Sequence, residues 1–502
     1  MSVVEVQVDA AAEPVVGGVL SYAFAKRHGV LLRPTTDGLE CLHAGPLELP
    51  ALLEVRRVAG GQPRLRQVDA EAFDEALRAQ YRDAAAQAAH AAAAADTDLA
   101  ALADSAAAVD DLLDARDDSP VVQLINALLL EAVREGASDV HVETLEKRLV
   151  VRFRVDGVLR EVLEPRRSLA PMLVSRIKVM AGLDIAEKRI PHDGRVTLRI
   201  GGLEINVRVS TIPSQYGERV VLRLLDRGAA RLELATLGMS ERDLAVFERL
   251  IQRPHGMLAV TGPTGSGKTT TLYAALNRLN DRRRNIMTVE DPIEYALDGI
   301  GQMQVAPRID LTFARGLRAI LRQDPDVIMV GEIRDQETAE TAVRSAMTGH
   351  FVLTTLHTNT AVGAVGRLID MGVERYLLAP MLAGLIAQRL VRRLCQTCRR
   401  EETATTADQA LAGGGLKVGE PVWRATGCAE CHNEGYRGRL GLYEVIELDE
   451  RLQTLIHDAA PETELASAAR AGAPSLLDDG IAKVRAGLTS VEEIARVVRD
   501  EG

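Results

Sequence analysis

Aromatic side chains are scarce in this sequence. One tryptophan, eight tyrosines and six phenylalanines among 502 residues amount to 3%, too few for the stacking platforms that grip single-stranded nucleic acid. Excess positive charge is missing too. The formal net charge of −11 is opposite in sign to what neutralising a phosphate backbone requires, and the short basic runs at 282–284, 392–393 and 399–400 read as solvated faces. No apolar run reaches the roughly 20 residues of a membrane-spanning helix; the most apolar windows, 121–130 and 377–387, are interrupted and short. The acidic start, MSVVEVQVDAAAEPVV, lacks the charged-then-apolar order of an export signal. The expectation is a cytoplasmic chain whose attachment to a membrane, if any, runs through a partner.

What is present is ordinary globular composition, 47% apolar and 26% charged, in a chain long enough for several cores. Residues 1–80 mix short apolar runs with turn residues and read as a small domain. An alanine-rich stretch over 81–112 has little to bury and reads as a linker with helical tendency. Over 113–225, the pattern predicts helix, hairpin, helix, hairpin. Val121, Leu124, Ile125, Leu128 and Leu129 have helical spacing, and alternating strands flank an Asp156-Gly157 turn. A helix is predicted over 170–181, followed by a second hairpin around Gly201-Gly202. The expectation is an α+β domain. A second linker covers 226–239. From 240 to 394, apolar strands alternate with helices, the pattern of a parallel sheet covered on both faces, hence an α/β core. A cysteine-bearing segment occupies 395–435, and 436–502 reads as helical.

One motif in the α/β core carries chemistry by itself. Gly262, Pro263, Thr264, Gly265, Ser266, Gly267, Lys268 and Thr269 form GxxxxGK[ST] between an apolar strand and a helix that begins at Thr270, which is the context a phosphate-binding loop demands. Its glycines let backbone N–H groups close around phosphate oxygens, and the helix N-terminus adds partial positive charge. Lys268 is placed to reach β- and γ-phosphates and the Thr269 hydroxyl to ligate Mg²⁺, so ATP with Mg²⁺ is the expected ligand.

Three further strands end in polar residues: Glu290-Asp291, Gly331-Glu332 and His357. In an open parallel sheet, ligands sit beyond the carboxyl ends of the strands. If these strands pair with the one before the phosphate loop, all of these groups share its crevice. Glu332 is then assigned to the Mg²⁺ side and Glu290 to polarising the attacking water, two roles that are exchangeable at this stage. Each carboxylate has the alternative of capping a following helix. His357 reads equally as a γ-phosphate sensor or as a structural histidine.

The cysteines separate into one and four. Cys395-x-x-Cys398 and Cys428-x-x-Cys431 have the paired spacing of a tetrahedral Zn²⁺ site with no open position, hence structural; disulfides are the alternative. The long gap between the pairs carries Gly413-Gly414-Gly415 and reads as mobile. Cys41 reads as a small buried apolar residue. Asp139 and His141 point the same way along a strand; a local hydrogen bond accounts for them, and no site is assigned there.

Taken in order, these motifs resemble the secretion ATPases of type II secretion systems and type IV pili. The specific ones are TVEDPIEY at 288–295, RQDPDVIMVGEIRD at 322–335 and TGHFVLTTLHTN at 348–359, which resemble the family's aspartate box, Walker B and histidine box. ASDVHVE at 137–143 and Asp193-Gly194-Arg195 are similar to its preceding domain. The resemblance implies a RecA-like core preceded by a PAS-like α+β domain, with a zinc-binding insertion and a small N-terminal domain. It implies a homo-hexamer in which ATP hydrolysis drives domain rotation. Arginines of the PAS-like domain then complete the site, Arg208 and Arg223 foremost and Arg219 less so; spacing alone makes them surface residues of alternating strands.

The tetracysteine insertion resembles the type II secretion and pilus-assembly members and not the retraction members. LSYAFAKRHGVLL at 20–32 resembles the type II secretion form. That resemblance implies docking of residues 1–80 on the cytoplasmic domain of a single-pass inner-membrane platform protein (GspL-like), with a polytopic platform protein (GspF-like) as a second partner. It places the chain in the cytoplasm, peripheral to the inner membrane, powering protein export. The alternatives are a type IV pilus assembly ATPase, a nucleic-acid translocase and a nucleotide-binding regulator that hydrolyses nothing. No nucleic-acid partner is expected.

Overall fold

The computed structural model describes residues 28–35, 38–45, 49–59, 62–69, 73, 76, 99–100, 102–103, 120–200, 203–225 and 233–498. The part of the 20–32 motif before residue 28, most of the alanine-rich stretch, the Gly201-Gly202 pair and residues 226–232 lie outside them. Two compact units emerge, one made of 1–130 with 197–205, the other of 131–196 with 206–502.

In the first unit, strands Val30–Thr35 and Gly38–His43 pair antiparallel, and Arg64–Gln67 adds parallel to the second after helix Leu49–Ala59. Side chains alternate across this sheet. Val30, Leu32 and Cys41 pack with Ala51 and Val55, while Leu31 and Leu42 pack with Phe73. Cys41 is thus a buried apolar residue, and burial raises its thiol pKa. Helix Pro120–Arg134 has Leu124, Ile125, Leu128 and Leu129 buried at helical spacing.

The second unit opens with strands Ala137–Thr144, Leu149–Val155 and Val158–Leu163, then helix Ala170–Met180. The Asp156-Gly157 turn has both residues at positive φ (49° and 86°), the backbone that a two-residue hairpin needs. Leu203–Ser214 and Gly217–Leu225 complete an antiparallel arrangement in which Ala137–Thr144 lies between Leu149–Val155 and Gly217–Leu225. With His192–Ile200 the sheet has six strands.

The larger sheet has seven strands. In spatial order they are Gly301–Gln304, Ile286–Glu290, Val327–Val330, Phe351–Leu356, Gly256–Thr261, Leu382–Leu394 and Tyr436–Glu447. The first six run parallel and the last antiparallel. The inner parallel strands are buried on both faces, as such sheets require, while the edge strand Gly301–Gln304 is partly exposed. Met257 and Ala259 face one core, with Ile328, Leu317 and Val343. Leu258 and Val260 face the other, with Leu272, Tyr273 and Leu276 of helix Lys268–Leu279.

The seventh strand comes from beyond the cysteine segment, which is an insertion between two neighbouring strands of the core sheet. The long gap between the cysteine pairs carries secondary structure of its own. Strands Arg400–Thr403 and Pro421–Arg424 pair antiparallel around helix Thr406–Leu411, which Thr405 and Asp408 close with a capping box. Gly413 and Gly414 stop that helix at φ 58° and 83°, and buried Ala412 and Leu416 anchor the turn. Four helices follow the sheet: Glu450–His457, Glu462–Arg470, Leu476–Arg485 and Val491–Val498. Among the described residues no helix is long and apolar enough to cross a membrane.

Candidate nucleotide site

Strand Gly256–Thr261 ends in the glycine loop, and helix Lys268–Leu279 begins at its far side. Gly262, Gly265 and Gly267 all have positive φ, a region that L side chains enter only with strain. At two of them space is also closed. A Cβ on Gly262 would lie 2.5 Å from the Gln388 carbonyl oxygen, and one on Gly267 would lie 2.7 Å from Gln388 Nε2. No side chain caps the helix at Gly267, so its first-turn N–H groups remain for an external acceptor. The Ser266 hydroxyl is buried with no hydrogen-bond partner. Orphaned donors, a tight glycine curl and a helix N-terminus together suit a phosphate group.

Lys268 is buried and donates to the carbonyls of Gly262 (2.8 Å) and Pro263 (3.0 Å). Burial pulls its pKa down to about 8; Glu332 opposes this and Arg389 adds to it. The ammonium is therefore held at the loop under a desolvation cost that added negative charge nearby relieves.

The strand ends converge as the parallel order dictates. A cavity of about 880 Å³ is lined by residues 264–270 of the loop and helix and by Glu290, Glu332 and His357. Asp139, Arg154 and Arg223 of the six-stranded sheet also line it, as do Arg334 and Arg439. Glu290 is 3% exposed. Its carboxylate accepts hydrogen bonds from Thr288 Oγ1 (2.6 Å), from Gln302 Nε2 (3.2 Å) and from the Tyr273 hydroxyl. Burial raises its pKa, and the three donors counter part of that rise. Glu332 pairs with Arg334 and lies 3.2 Å from His357 Nε2. Neither glutamate caps a helix. A strand, Gly301–Gln304, is the next element after Glu290, and the helix after Glu332 is capped by Asp335, which accepts from the Thr338 N–H.

The arginines separate by position. Arg223 lies on the cavity, with its Nε 2.8 Å from Asp139 Oδ1. Arg208 is its cross-strand neighbour but is not among the cavity-lining residues; its Nη2 lies 3.4 Å from Asp193. Arg219 pairs with Glu143 at 2.5 Å, also away from the cavity. Sequence reasoning missed Tyr273, Gln302 and Arg154. The two that hold Glu290 have no local signal, because their contact depends on the order of strands in the sheet.

The four paired cysteines come together. Cys395–Cys428, Cys398–Cys431 and Cys428–Cys431 have sulfur separations of 3.8, 3.7 and 3.7 Å, and all are free thiols. A tetrahedron of thiolates with metal–sulfur bonds of ~2.3 Å has edges of about 3.8 Å, so the donor set and its spacing suit zinc. Burial would raise the Cys431 pKa, but N–H groups of Cys428 and Gly435, each 3.2 Å from its sulfur, contribute to lowering it to about 7.

The profile of the family described as Type II/IV secretion system protein matches residues 114–496, and a second profile, describing a domain of GSPII protein E, matches 19–81. The chain belongs to the type II secretion ATPase family. It is 56% identical over 484 residues to Type II secretion system protein E of Pseudomonas aeruginosa, with 96% of each chain covered. To Type II secretion system ATPase E of Vibrio cholerae it is 53% identical over 486 residues, 96% of this chain and 97% of that one. Among solved structures it resembles the pilus retraction motor PilT with bound ADP, at 27% identity and a TM-score of 0.51 over 74% of this chain and 95% of that one. The Legionella pneumophila ATPase DotB, at 23% identity and TM-score 0.56 over 74% of this chain and 94% of that one, shares the fold. Family membership makes the chain an ATP-hydrolysing enzyme of type II secretion.

The loop geometry yields a direct test. Gly262→Ala should lower folding stability by about 1–3 kcal/mol through the Gln388 clash and the strained φ. This is measurable as a lower urea midpoint; an unchanged midpoint would contradict the loop conformation.

Proposed function

We propose that this secretion ATPase hydrolyses ATP in the cavity where the glycine loop meets Arg223, and that the reaction couples to movement of the α+β domain. The carrying observation is that cavity's mixed lining: loop and strand ends from one sheet, a charged row from another.

In this reading, residues 262–270 hold the phosphates and Lys268 neutralises their charge. Thr269 and Glu332 would hold Mg²⁺, which supplies charge neutralisation on the phosphates when bound. Glu290 polarises the attacking water. It sits at the end of its strand, and its burial shifts the pKa upward, toward that of a competent base. His357 senses the γ-phosphate through Glu332. Arg223 brings positive charge to the transition state, and Arg208, its neighbour across the strand pair, joins it when the domains close. An arginine delivered by domain closure ties hydrolysis to motion.

The remaining expectations extend the same reading. The chain works as a homo-hexamer in the cytoplasm, held at the inner membrane through partners. Residues 1–80 dock on the cytoplasmic domain of a single-pass platform protein (GspL-like), and a polytopic platform protein (GspF-like) receives the motion. Cys395, Cys398, Cys428 and Cys431 hold a structural Zn²⁺. The absence of excess positive charge argues against a nucleic-acid substrate.

Three measurements test these assignments. Lys268→Ala should abolish ATP turnover with the fold intact by circular dichroism, and Arg223→Ala should cut kcat by about 10³-fold, within the range for arginine fingers. Wild-type turnover in either would contradict its role. Tyr273→Phe removes one donor from a carboxylate that already faces Glu294, so the Glu290 pKa rises further. The acid limb of the kcat–pH profile should then move to higher pH, and an unmoved limb would count against Glu290 as the base. Freshly purified protein should carry one Zn²⁺ per chain by elemental analysis, lost in Cys431→Ser; absence of zinc would remove the metal assignment.

A further inference from the structure

The ASDVHVE stretch gave the sequence no site, yet it supplies the centre of a row that crosses four strands. Arg154, Asp139, Arg223 and Arg208 are successive cross-strand partners in that row, and residues in one such row share a face of the sheet. Three of them line the nucleotide cavity: Arg154, Asp139 and Arg223.

The row is asymmetric. The Asp139 side chain is 6% exposed, whereas that of Arg223 is 57% exposed, so the carboxylate is fixed and the guanidinium it holds is not. Each carboxylate oxygen serves one arginine. Oδ1 accepts from Arg223 Nε at 2.8 Å; Oδ2 accepts from Ser138 Oγ at 2.8 Å and lies 3.8 Å from Arg154 Nε. Burial alone would raise the Asp139 pKa, but Arg223 and Ser138 lower it overall, which keeps the group ionised. Holding Arg223 by Nε leaves its two terminal nitrogens without a hydrogen bond among the described residues. Those are the donors with which a guanidinium grips a phosphate.

We propose that Asp139 is a positioning residue for ATP hydrolysis, holding Arg223 on the cavity with its terminal nitrogens turned to the γ-phosphate, while Arg154 Nη1 is engaged by the Gly157 carbonyl at 2.9 Å. This rests on the reading that Arg223 acts on that phosphate. Two guanidiniums with nothing between them repel each other, and a long, exposed arginine has many rotamers to lose. Asp139 removes both costs before the nucleotide arrives. Its effect therefore falls on the transition state, where arginine placement counts, and little on nucleotide affinity, which the glycine loop supplies. Loss of an ion pair that merely stabilised the domain would lower stability and leave the kcat of the folded enzyme unchanged.

The test uses the full-length chain, with Mg·ATP turnover and binding of a fluorescent ADP analogue. Asp139→Asn should lower kcat by about tenfold with analogue affinity within about twofold, a split that marks a transition-state interaction. In an Arg223→Ala background the same change should add less than about twofold, because the two residues act as one unit. Wild-type kcat in Asp139→Asn, or an undiminished loss in the Arg223→Ala background, overturns the proposal. If Asp139→Asn fails to bind the analogue, Ser138→Ala decides. It removes one donor from the carboxylate and should lower kcat about two- to threefold, again only when Arg223 is present; unchanged turnover there also overturns it. Wild-type turnover in Arg223→Ala would instead sink the reading of the site itself.

Discussion

Six parallel strands release their carboxyl ends along one edge, and the site follows from that edge. Gly256–Thr261 hands over to the glycine loop, Ile286–Glu290 ends in Glu290, Val327–Val330 leads to Glu332 and Phe351–Leu356 leads to His357. No side chain has to travel, because the sheet's hydrogen-bonded register brings strand ends separated by nearly a hundred residues into one crevice. Two apolar cores pack against the faces of the sheet behind that edge. Tyr273 serves both parts of this arrangement: its ring packs among the buried residues on one face, while its hydroxyl holds Glu290.

Electrostatics divides the site into two kinds of group. Lys268 and Glu290 are buried, and in both burial disfavours the charged form, so each is sensitive to a phosphate or a proton nearby. The arginines of the second sheet are more exposed and are tied by carboxylates of their own domain. Charge on the buried side is fixed by the fold; charge on the exposed side is oriented by ion pairs, and the one at Arg223 leaves its terminal nitrogens for a phosphate. That difference gives a physical basis for a cycle in which the phosphate state sets the position of a domain.

Much of this was legible in the sequence where it was local. The phosphate loop, the polar strand ends and the cysteine pairs are each written within a dozen residues, and the α/β core followed from the alternation of strands and helices. What the sequence did not disclose depends on register between distant strands. Arg208 and Arg223 look alike as alternating strand residues, yet pairing puts only Arg223 on the cavity. Asp139 gained meaning only from its neighbours across the sheet, and the box around Glu290 needed the strand order. Three glycines at 413–415 did not disclose the helix they end, whose flanks are buried. The antiparallel seventh strand was hidden because an insertion separates it from its partner.

The central claim is that the glycine loop is the fixed half of the site and that Arg223 completes it only when the γ-phosphate is in transfer. Affinity for ADP–aluminium fluoride, which mimics the transferring phosphoryl group, measured against affinity for ADP alone, tests this most directly. The account predicts that the full-length chain binds the fluoride complex far more tightly than ADP, and that Arg223→Ala abolishes this preference while leaving ADP affinity intact. A preference retained in that variant would contradict it.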